Sequence, residues 1–143
     1  METAAELLDA ISGIRRIARR VVRQAWHDEP LPPAQGELIR LTAAKPGITV
    51  AEAAHELRLA PNTVSTLVGR LTDAGLLERV RDAADGRSVR LSVTRAAQRR
   101  LAGYRDLRIE LTGRALDQLS ARDRRAIAAA VPALLRLAEQ LER

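Results

Sequence analysis

Between residues 48 and 94, hydrophobic positions first recur at helical spacing and then alternate with polar ones as in a strand. This segment contains the most informative pattern of the chain. Apolar residues recur at helical spacing after Pro61, at Val64, Leu67, Val68 and Leu71. The positions between them are small or polar: Asn62, Thr63, Ser65, Thr66, Gly69 and Arg70. Because proline is tolerated in the first turn of a helix and glycine just after its end, we predict a helix from Pro61 to about Ala74, followed by Gly75.

A shorter helix is predicted before this one. Thr49 and Glu52 have the spacing of a capping box, in which each side chain accepts a hydrogen bond from the other residue's backbone N–H. Ala53, Ala54 and Leu57 are small or apolar, so the two helices can pack closely around a turn at residues 59–60. The pattern therefore predicts a helix-turn-helix.

Residues 88 to 94 alternate between apolar and polar side chains, which is typical of a strand with one buried face. Asp85-Gly86 is a strong signal for a hairpin turn. Arginines surround this turn, at positions Arg79, Arg81, Arg87 and Arg90. We predict a two-stranded basic wing, to which Ile48 can add a brief third strand.

Further helices flank this segment on both sides. A long amphipathic helix is predicted over about 3–27, and a short one over about 33–44, which Lys45-Pro46-Gly47 terminates. Thr94 can cap a long helix, and Ser120 with Asp123 starts the last one. Pro132 should bend that last helix without breaking it. The fold class is therefore mainly α with a small β wing (α+β), in a single domain covering residues 1–143.

The order helix, turn, helix and basic wing is typical of a module that places its second helix in the DNA major groove. Short polar side chains can reach base edges or phosphates, and an arginine-bearing loop can enter the minor groove. Helix-turn-helix shapes also occur as plain packing units, and arginines on a turn are usually only solvated. In combination, and in this order, the features favour binding to double-stranded DNA.

The chain resembles the MarR family of transcription regulators over almost its whole length. The resemblance is carried by APNTVSTLVGRLTDAGLLERV, by Asp85-Gly86-Arg87 followed by LSVT, and by LSARDRRAI with LLRLAEQL near the end. It implies that the DNA-facing positions of the recognition helix are Asn62, Thr63, Ser65, Thr66 and Arg70. It also implies that Arg87, at the wing tip, reaches the minor groove, and we add Arg81 and Arg90 from the same wing. Thr66 and Gly69 depart from the long basic and charged residues that many members carry there.

The resemblance further implies a homodimer, with helices 3–27 and 95–142 forming a dimerisation platform around a winged lobe at 32–94. The apolar stripe of the first helix needs a cover, which either this chain's own core or a second copy provides, and the resemblance favours the second copy. The expected function is a sequence-specific repressor that binds a palindromic operator and is relieved by a small effector. The alternative is a ligand-independent winged-helix protein that coats DNA or binds other proteins.

Composition and charge are consistent with the prediction of a DNA-binding protein. The net charge of +6 and the pI near 11.2 favour a polyanionic partner, although a GC-rich genome also enriches arginine. The absence of cysteine excludes disulfides, thiol redox sensing and cysteine metal sites. The first residues do not have the pattern of a signal peptide, and the apolar runs are too short to span a bilayer. We therefore expect a cytoplasmic protein without a membrane partner.

Catalytic and ligand-binding patterns are sparse. The two histidines, His27 and His55, lack the spacing of a triad or a metal pair, and no phosphate-binding glycine loop follows a strand. We therefore expect no enzyme activity, no metal and no cofactor. Trp26 either walls an effector crevice or only seals a joint between helices. With Tyr104 as the only tyrosine and no phenylalanine, an aromatic cage is not expected, and an effector pocket would have aliphatic walls with arginine at its mouth.

Overall fold

A computed structural model describes residues 1–82, 84 and 86–142 of the chain. Within these residues it contains six helices and two strands: α1 Glu2–Ala25, α2 Pro33–Ala44, α3 Val50–Leu57, α4 Pro61–Asp73, β1 Leu77–Arg81, β2 Val89–Val93, α5 Arg95–Asp117 and α6 Ala121–Leu141. The predicted mainly α fold with a small β wing is confirmed. Asp85, on which the predicted hairpin turn partly depends, lies outside the described residues.

The chain divides into two compact units. The first, here called the winged lobe, is Trp26–Arg105, and the second, the terminal-helix unit, is Met1–Ala25 together with Asp106–Arg143. The winged lobe includes α2, α3, α4, both strands and the beginning of α5. The segment 32–94 of the sequence analysis lies within this unit.

A single apolar core holds the winged lobe together. Its buried members come from all the helices and strands of the lobe: Leu38, Ile39, Ile48, Ala53, Ala54, Val64, Leu67, Val68, Leu71, Leu76, Leu77, Leu91 and Ala97. They include the four apolar residues of α4, whose predicted stripe is thus confirmed. Since burial of this stripe fixes the rotation of α4, the polar residues between its members must face outward.

The wing is an antiparallel pair of strands. β1 and β2 are paired from Leu77 opposite Val93 to Arg81 opposite Val89. The predicted third strand is reduced to one antiparallel bridge between Thr49 and Arg90. Leu91 completes this attachment, since its N–H donates to the Ile48 carbonyl at 2.8 Å and its carbonyl accepts from the Gly47 N–H at 2.9 Å. The wing is thereby fastened to the start of the helix-turn-helix.

Local hydrogen bonds set the helix ends as the sequence predicts. The Thr49 hydroxyl accepts from the Glu52 N–H at 3.2 Å, and the Glu52 carboxylate accepts from the Thr49 N–H at 3.1 Å, which confirms the capping box. Gly75 follows α4 with φ of 72°, the left-handed conformation expected of it. Thr94 caps α5 by accepting from the Ala97 N–H, and its hydroxyl also donates to the Gly75 carbonyl at 2.7 Å. This hydroxyl therefore links the end of α4 to the start of α5.

The terminal-helix unit has little core of its own. Val22 is the only buried residue of α1, and the described residues of α6 include none. Large apolar side chains of this unit remain exposed: Leu8, Ile11, Ile14, Ile17, Val21, Ile109, Leu119, Ile127, Val131, Leu134, Leu135, Leu137 and Leu141. α6 continues through Pro132 to Leu141, so the proline does not break it. Across the described part of the chain, no helix combines the length and apolar character needed to cross a membrane.

Candidate nucleic-acid interface

The outward face of α4 is a polar surface built on a rigid support. All five of its predicted DNA-facing residues are exposed: Asn62, Thr63, Ser65, Thr66 and Arg70. The structure brings them onto one helix, over about 12 Å of its axis. Because the opposite side of α4 is wholly packed into the core, this face is presented in one fixed orientation.

Hydrogen bonds within α4 determine which donors and acceptors each side chain still has available for a binding partner. The Thr66 hydroxyl donates to the Asn62 carbonyl at 3.0 Å, so its oxygen remains available as an acceptor on an exposed residue that also carries a methyl group. The Asn62 side-chain oxygen accepts from the Thr63 N–H at 2.9 Å, which leaves the amide NH₂ as a donor. Ser65 makes no internal hydrogen bond within the described residues, so its hydroxyl can donate or accept. The face therefore carries a donor, an acceptor with a methyl group, and an adaptable hydroxyl.

The beginning of α4 also favours anions. Its first turn has Pro61 and no acidic residue, and the preceding Ala60 has no side chain that could cap the helix. The Thr63 N–H is already bonded to the Asn62 side chain, so it is mainly the helix dipole that makes this end attractive to phosphate oxygens. Arg58, in the turn just before it, is exposed and adopts a left-handed conformation with φ of 54°. The sequence analysis did not single out Arg58, although a lone cation in the turn was a visible signal.

Two wing arginines are positioned for contact with a partner. Arg81 ends β1, and Arg87 lies in the turn between the strands, and both are exposed. Both therefore stand at the tip of the wing, beyond the last core residue of either strand. The long side chain and planar guanidinium of arginine suit the minor groove or the phosphates that border it.

Arg90 is held by hydrogen bonds to two other parts of the winged lobe. Its Nε donates to Asp82 Oδ2 at 2.8 Å, and its Nη1 donates to the Gly47 carbonyl at 2.9 Å. The hydrogen bond and the charge of Asp82 raise the pKa of the Arg90 guanidinium above its ordinary value. Arg90 thus braces the wing against the loop before α3, and only its remaining N–H groups face solvent.

A second ion pair supports the helix-turn-helix from the other side. Lys45 at the end of α2 donates to the Glu56 carboxylate on α3. This hydrogen bond, together with the lysine's charge, lowers the pKa of Glu56. α3 is therefore held to α2 by a polar contact as well as by the core.

Trp26 lines a cavity of about 90 Å³ within the winged lobe. Its ring meets Tyr104 edge-to-face with 5.5 Å between centroids and stacks on His27 at 5.3 Å. The other lining residues are Leu31, Gly36, Ile39, Arg40, Ala97, Arg100 and Leu101. The predicted aliphatic walls and arginines are present. The only tryptophan and the only tyrosine of the chain meet in this cavity, a contact that the sequence analysis did not predict.

Trp26 also seals a joint, which was the alternative interpretation. A Cβ added to Gly103 on α5 would lie 3.2 Å from the Trp26 ring, so the ring lies directly on the backbone of α5. Arg100 donates to the Glu29 carbonyl and closes the same joint. Among the described residues, no group of histidine, aspartate and glutamate side chains is arranged to hold a metal ion.

Comparisons with known proteins agree with this geometry. Residues 29–88 match a family model, MarR_2, that describes the MarR family, so the resemblance drawn from the sequence is confirmed over this segment. A search of curated proteins gives no match.

The fold is similar to that of several solved structures. A MarR family protein from Bacillus stearothermophilus aligns with a TM-score of 0.78 and 23% identity, over 99% of this chain and 97% of that one. The transcriptional regulator Tm0710 from Thermotoga maritima aligns with a TM-score of 0.79 and 23% identity, over 98% of this chain and 96% of that one. A mutant of S. aureus MepR bound to an oligodeoxyribonucleotide aligns with a TM-score of 0.69 and 22% sequence identity, over 92% of this chain and 95% of that one. These similarities confirm the winged-helix fold along the chain.

Proposed function

We propose that this chain, whose residues 29–88 match the MarR_2 family model, is a transcription regulator that binds DNA in a sequence-specific manner as a homodimer. The observation that carries the proposal is the outward face of α4. Five exposed polar residues stand on a helix whose opposite side is completely buried, beside a wing with arginines at its tip. A surface that is polar, rigid and convex fits the major groove, which admits one α-helix.

The proposed contacts divide into two classes. Asn62, Ser65 and Thr66 read base edges, and the Thr66 methyl group suits contact with the methyl group of thymine. Arg70, Arg81 and Arg87 meet phosphates or the minor groove, Thr63 lies at the phosphate-facing start of α4, and Arg90 holds the wing in place. Phosphate contacts supply most of the affinity, whereas base contacts supply discrimination, each good pair contributing about 1–3 kcal/mol.

The exposed apolar faces of α1 and α6 support the homodimer. Isolated exposed apolar residues are common, but a series repeated along a helix marks an interaction surface. A twofold pair of chains would cover both faces with the same residues from each copy. Two copies of α4 would then enter successive major grooves about 34 Å apart, so the operator would be a rough palindrome.

A small effector that relieves repression is the finer part of the proposal. The cavity beside Trp26 combines apolar walls with Arg40 and Arg100, a chemistry that suits a small anion with an apolar body. Its volume of about 90 Å³ is well below the 300 Å³ or more of typical ligand pockets, so a larger effector would require the lining side chains to move. Binding that favours one conformation of the lobe would shift occupancy of the operator.

The small size of this cavity also favours a second candidate function. A winged-helix protein that responds to no ligand would need only the sealed joint that Trp26 and Gly103 form. The two candidate functions differ in whether a metabolite changes the occupancy of DNA by the protein. Release of a selected operator by a metabolite extract supports the effector, and unchanged occupancy across such extracts supports the ligand-independent protein.

Selection of bound sites from random duplexes tests the main proposal. We expect a palindromic consensus, protected over an operator-length region in a footprint. Asn62→Ala or Ser65→Ala should change preference among sequences, whereas Arg87→Ala should weaken binding to all of them and reduce the salt dependence. Uniform affinity for every duplex would overturn the sequence-specific regulator.

A further inference from the structure

The first helix carries a dense group of arginines that the winged lobe does not explain. We call this group the α1 arginine strip, and its members are Arg15, Arg16, Arg19, Arg20 and Arg23. All five are exposed. The acids of α1, at Glu2, Glu6 and Asp9, all precede the strip, so its second half carries no negative charge. The strip belongs to the terminal-helix unit.

Helix geometry places the five charges on one side. Arg15, Arg19 and Arg23 are four residues apart and form one row, and Arg16 with Arg20 forms a parallel row. Together they occupy about 12 Å of the helix axis. This gives about one positive charge per 2.4 Å by the same geometry, close to the one negative charge per about 1.7 Å of duplex DNA.

An open trough of about 610 Å³ lies among these side chains, and Ser12 and Gln24 complete its lining. Every residue that lines it is therefore a hydrogen-bond donor, and none is apolar or acidic. Such a surface suits a row of anionic oxygens.

Repulsion among the arginines of the strip destabilises α1, and no described residue of the chain offsets it. Like charges three and four residues apart destabilise a helix, and the strip contains five such pairs. None of the ion pairs within the described residues involves α1. The helix dipole favours only Arg23, which is in the last turn. A bound polyanion would remove the repulsion among the other four.

We propose that the α1 arginine strip is a second DNA-binding surface, built from residues other than those of α4 and the wing, that holds phosphates of a duplex. The proposal rests on the proposed function insofar as DNA is the partner. Arginine supports phosphate over other anions, since its planar fork binds two phosphate oxygens at once. A membrane surface is less suited, because the apolar face of α1 that would enter lipid is assigned to the second copy of the chain.

A matched pair of triple variants tests this surface in the full-length protein. Arg15→Gln with Arg19→Gln and Arg20→Gln removes three charges from the strip while keeping good helix-forming residues. The control removes three exposed arginines from α6, by Arg122→Gln, Arg125→Gln and Arg136→Gln. Circular dichroism and sedimentation should show equal folding and mass for both. The probe is a long mixed-sequence duplex, titrated at several salt concentrations.

We expect the slope of log affinity against log salt to fall by about two to three for the strip variant, because each lost phosphate contact contributes about 0.9. The control should keep the wild-type slope. Equal slopes for wild type and strip variant, or equal losses for strip variant and control, would overturn the inference. The inference would also be overturned if the strip variant lost affinity for phosphatidylserine vesicles and kept its affinity for DNA.

The outcome is separable from that of the proposed function. If the wild type selects an operator and loses affinity on Arg87→Ala while the strip variant binds normally, only the strip is rejected. If no duplex is bound by the wild type, the regulator itself is rejected. Capture of a second labelled duplex by operator-saturated protein would assign the strip to bridging between two duplexes.

Discussion

Two glycines near the recognition helix have opposite roles because their backbones differ. Gly69 lies within α4 in an ordinary helical conformation, and a Cβ added there would meet open space. Gly75 lies just after α4 with φ of 72°, where side chains are disfavoured. The same substitution should therefore stabilise the protein at one position and destabilise it at the other.

Gly69→Ala should raise the free energy of unfolding by about 1 kcal/mol, because alanine loses less backbone entropy in a helix than glycine does. Gly75→Ala should lower it by about 1–2 kcal/mol. Denaturant titration of both variants measures the difference. Equal effects at the two positions would contradict the assigned end of α4. A further loss of operator affinity in Gly69→Ala alone would indicate that DNA lies against this gap.

The ion pair of Lys45 with Glu56 predicts a pH dependence. Since Lys45 lowers the pKa of Glu56 in the folded state, the pair stabilises the fold above the ordinary carboxyl pKa. This stabilisation is lost as the pH falls through the lowered pKa. The wild type should therefore be slightly more stable than Lys45→Met at neutral pH, and the two should converge in acid. Thermal unfolding from pH 7 to pH 3 checks this, with Glu56→Gln expected to remove the pH-dependent difference.

At the level of elements, local patterns proved the most informative. The start of α4 at Pro61, the buried stripe on it and the capping box at Thr49 were predictable because each depends on residues within one or two turns. The brace from Arg90 to the Gly47 carbonyl was not predictable, because it joins residues 43 positions apart. The contact between Trp26 and Tyr104 was missed for the same reason. Sequence spacing does not show which distant elements meet.

The capping box gives a prediction for the helix-turn-helix as an element. Thr49→Ala removes the side chain that accepts from the Glu52 N–H and should cost about 1 kcal/mol of stability. Thr49→Ser keeps the hydroxyl and should cost little. Chemical denaturation of the two variants compares them. A similar loss in both would show that the methyl group of Thr49, and not its hydrogen bond, matters.

For the whole molecule, the sequence showed an apolar stripe on the first and last helices but not what covers it. The structure of one chain leaves these side chains exposed on α1 and α6, and the described part of α6 has no buried residue. In the proposed homodimer the second copy covers these faces, so the contacts within one chain do not contain that cover. An experiment on mass in solution is therefore the direct test.

Val131→Asp with Leu134→Asp should reduce the mass measured by sedimentation from two chains to one, because buried carboxylates without partners oppose association. Arg136→Asp is the matched control, since helical spacing places it on the opposite side of α6 from those residues. The control should keep the dimer mass. Helix content by circular dichroism distinguishes dissociation from unfolding. A wild type that sediments as one chain would reject the homodimer.

Trp26 is the only tryptophan of the chain, and it lines the cavity in the winged lobe. The protein consequently has a built-in optical reporter at a single site, and no label needs to be attached. Excitation at the red edge of indole absorbance isolates this one ring from Tyr104. We expect a molecule that enters the cavity to change the intensity or wavelength of this emission, so candidate compounds can be screened on the unmodified protein by fluorescence.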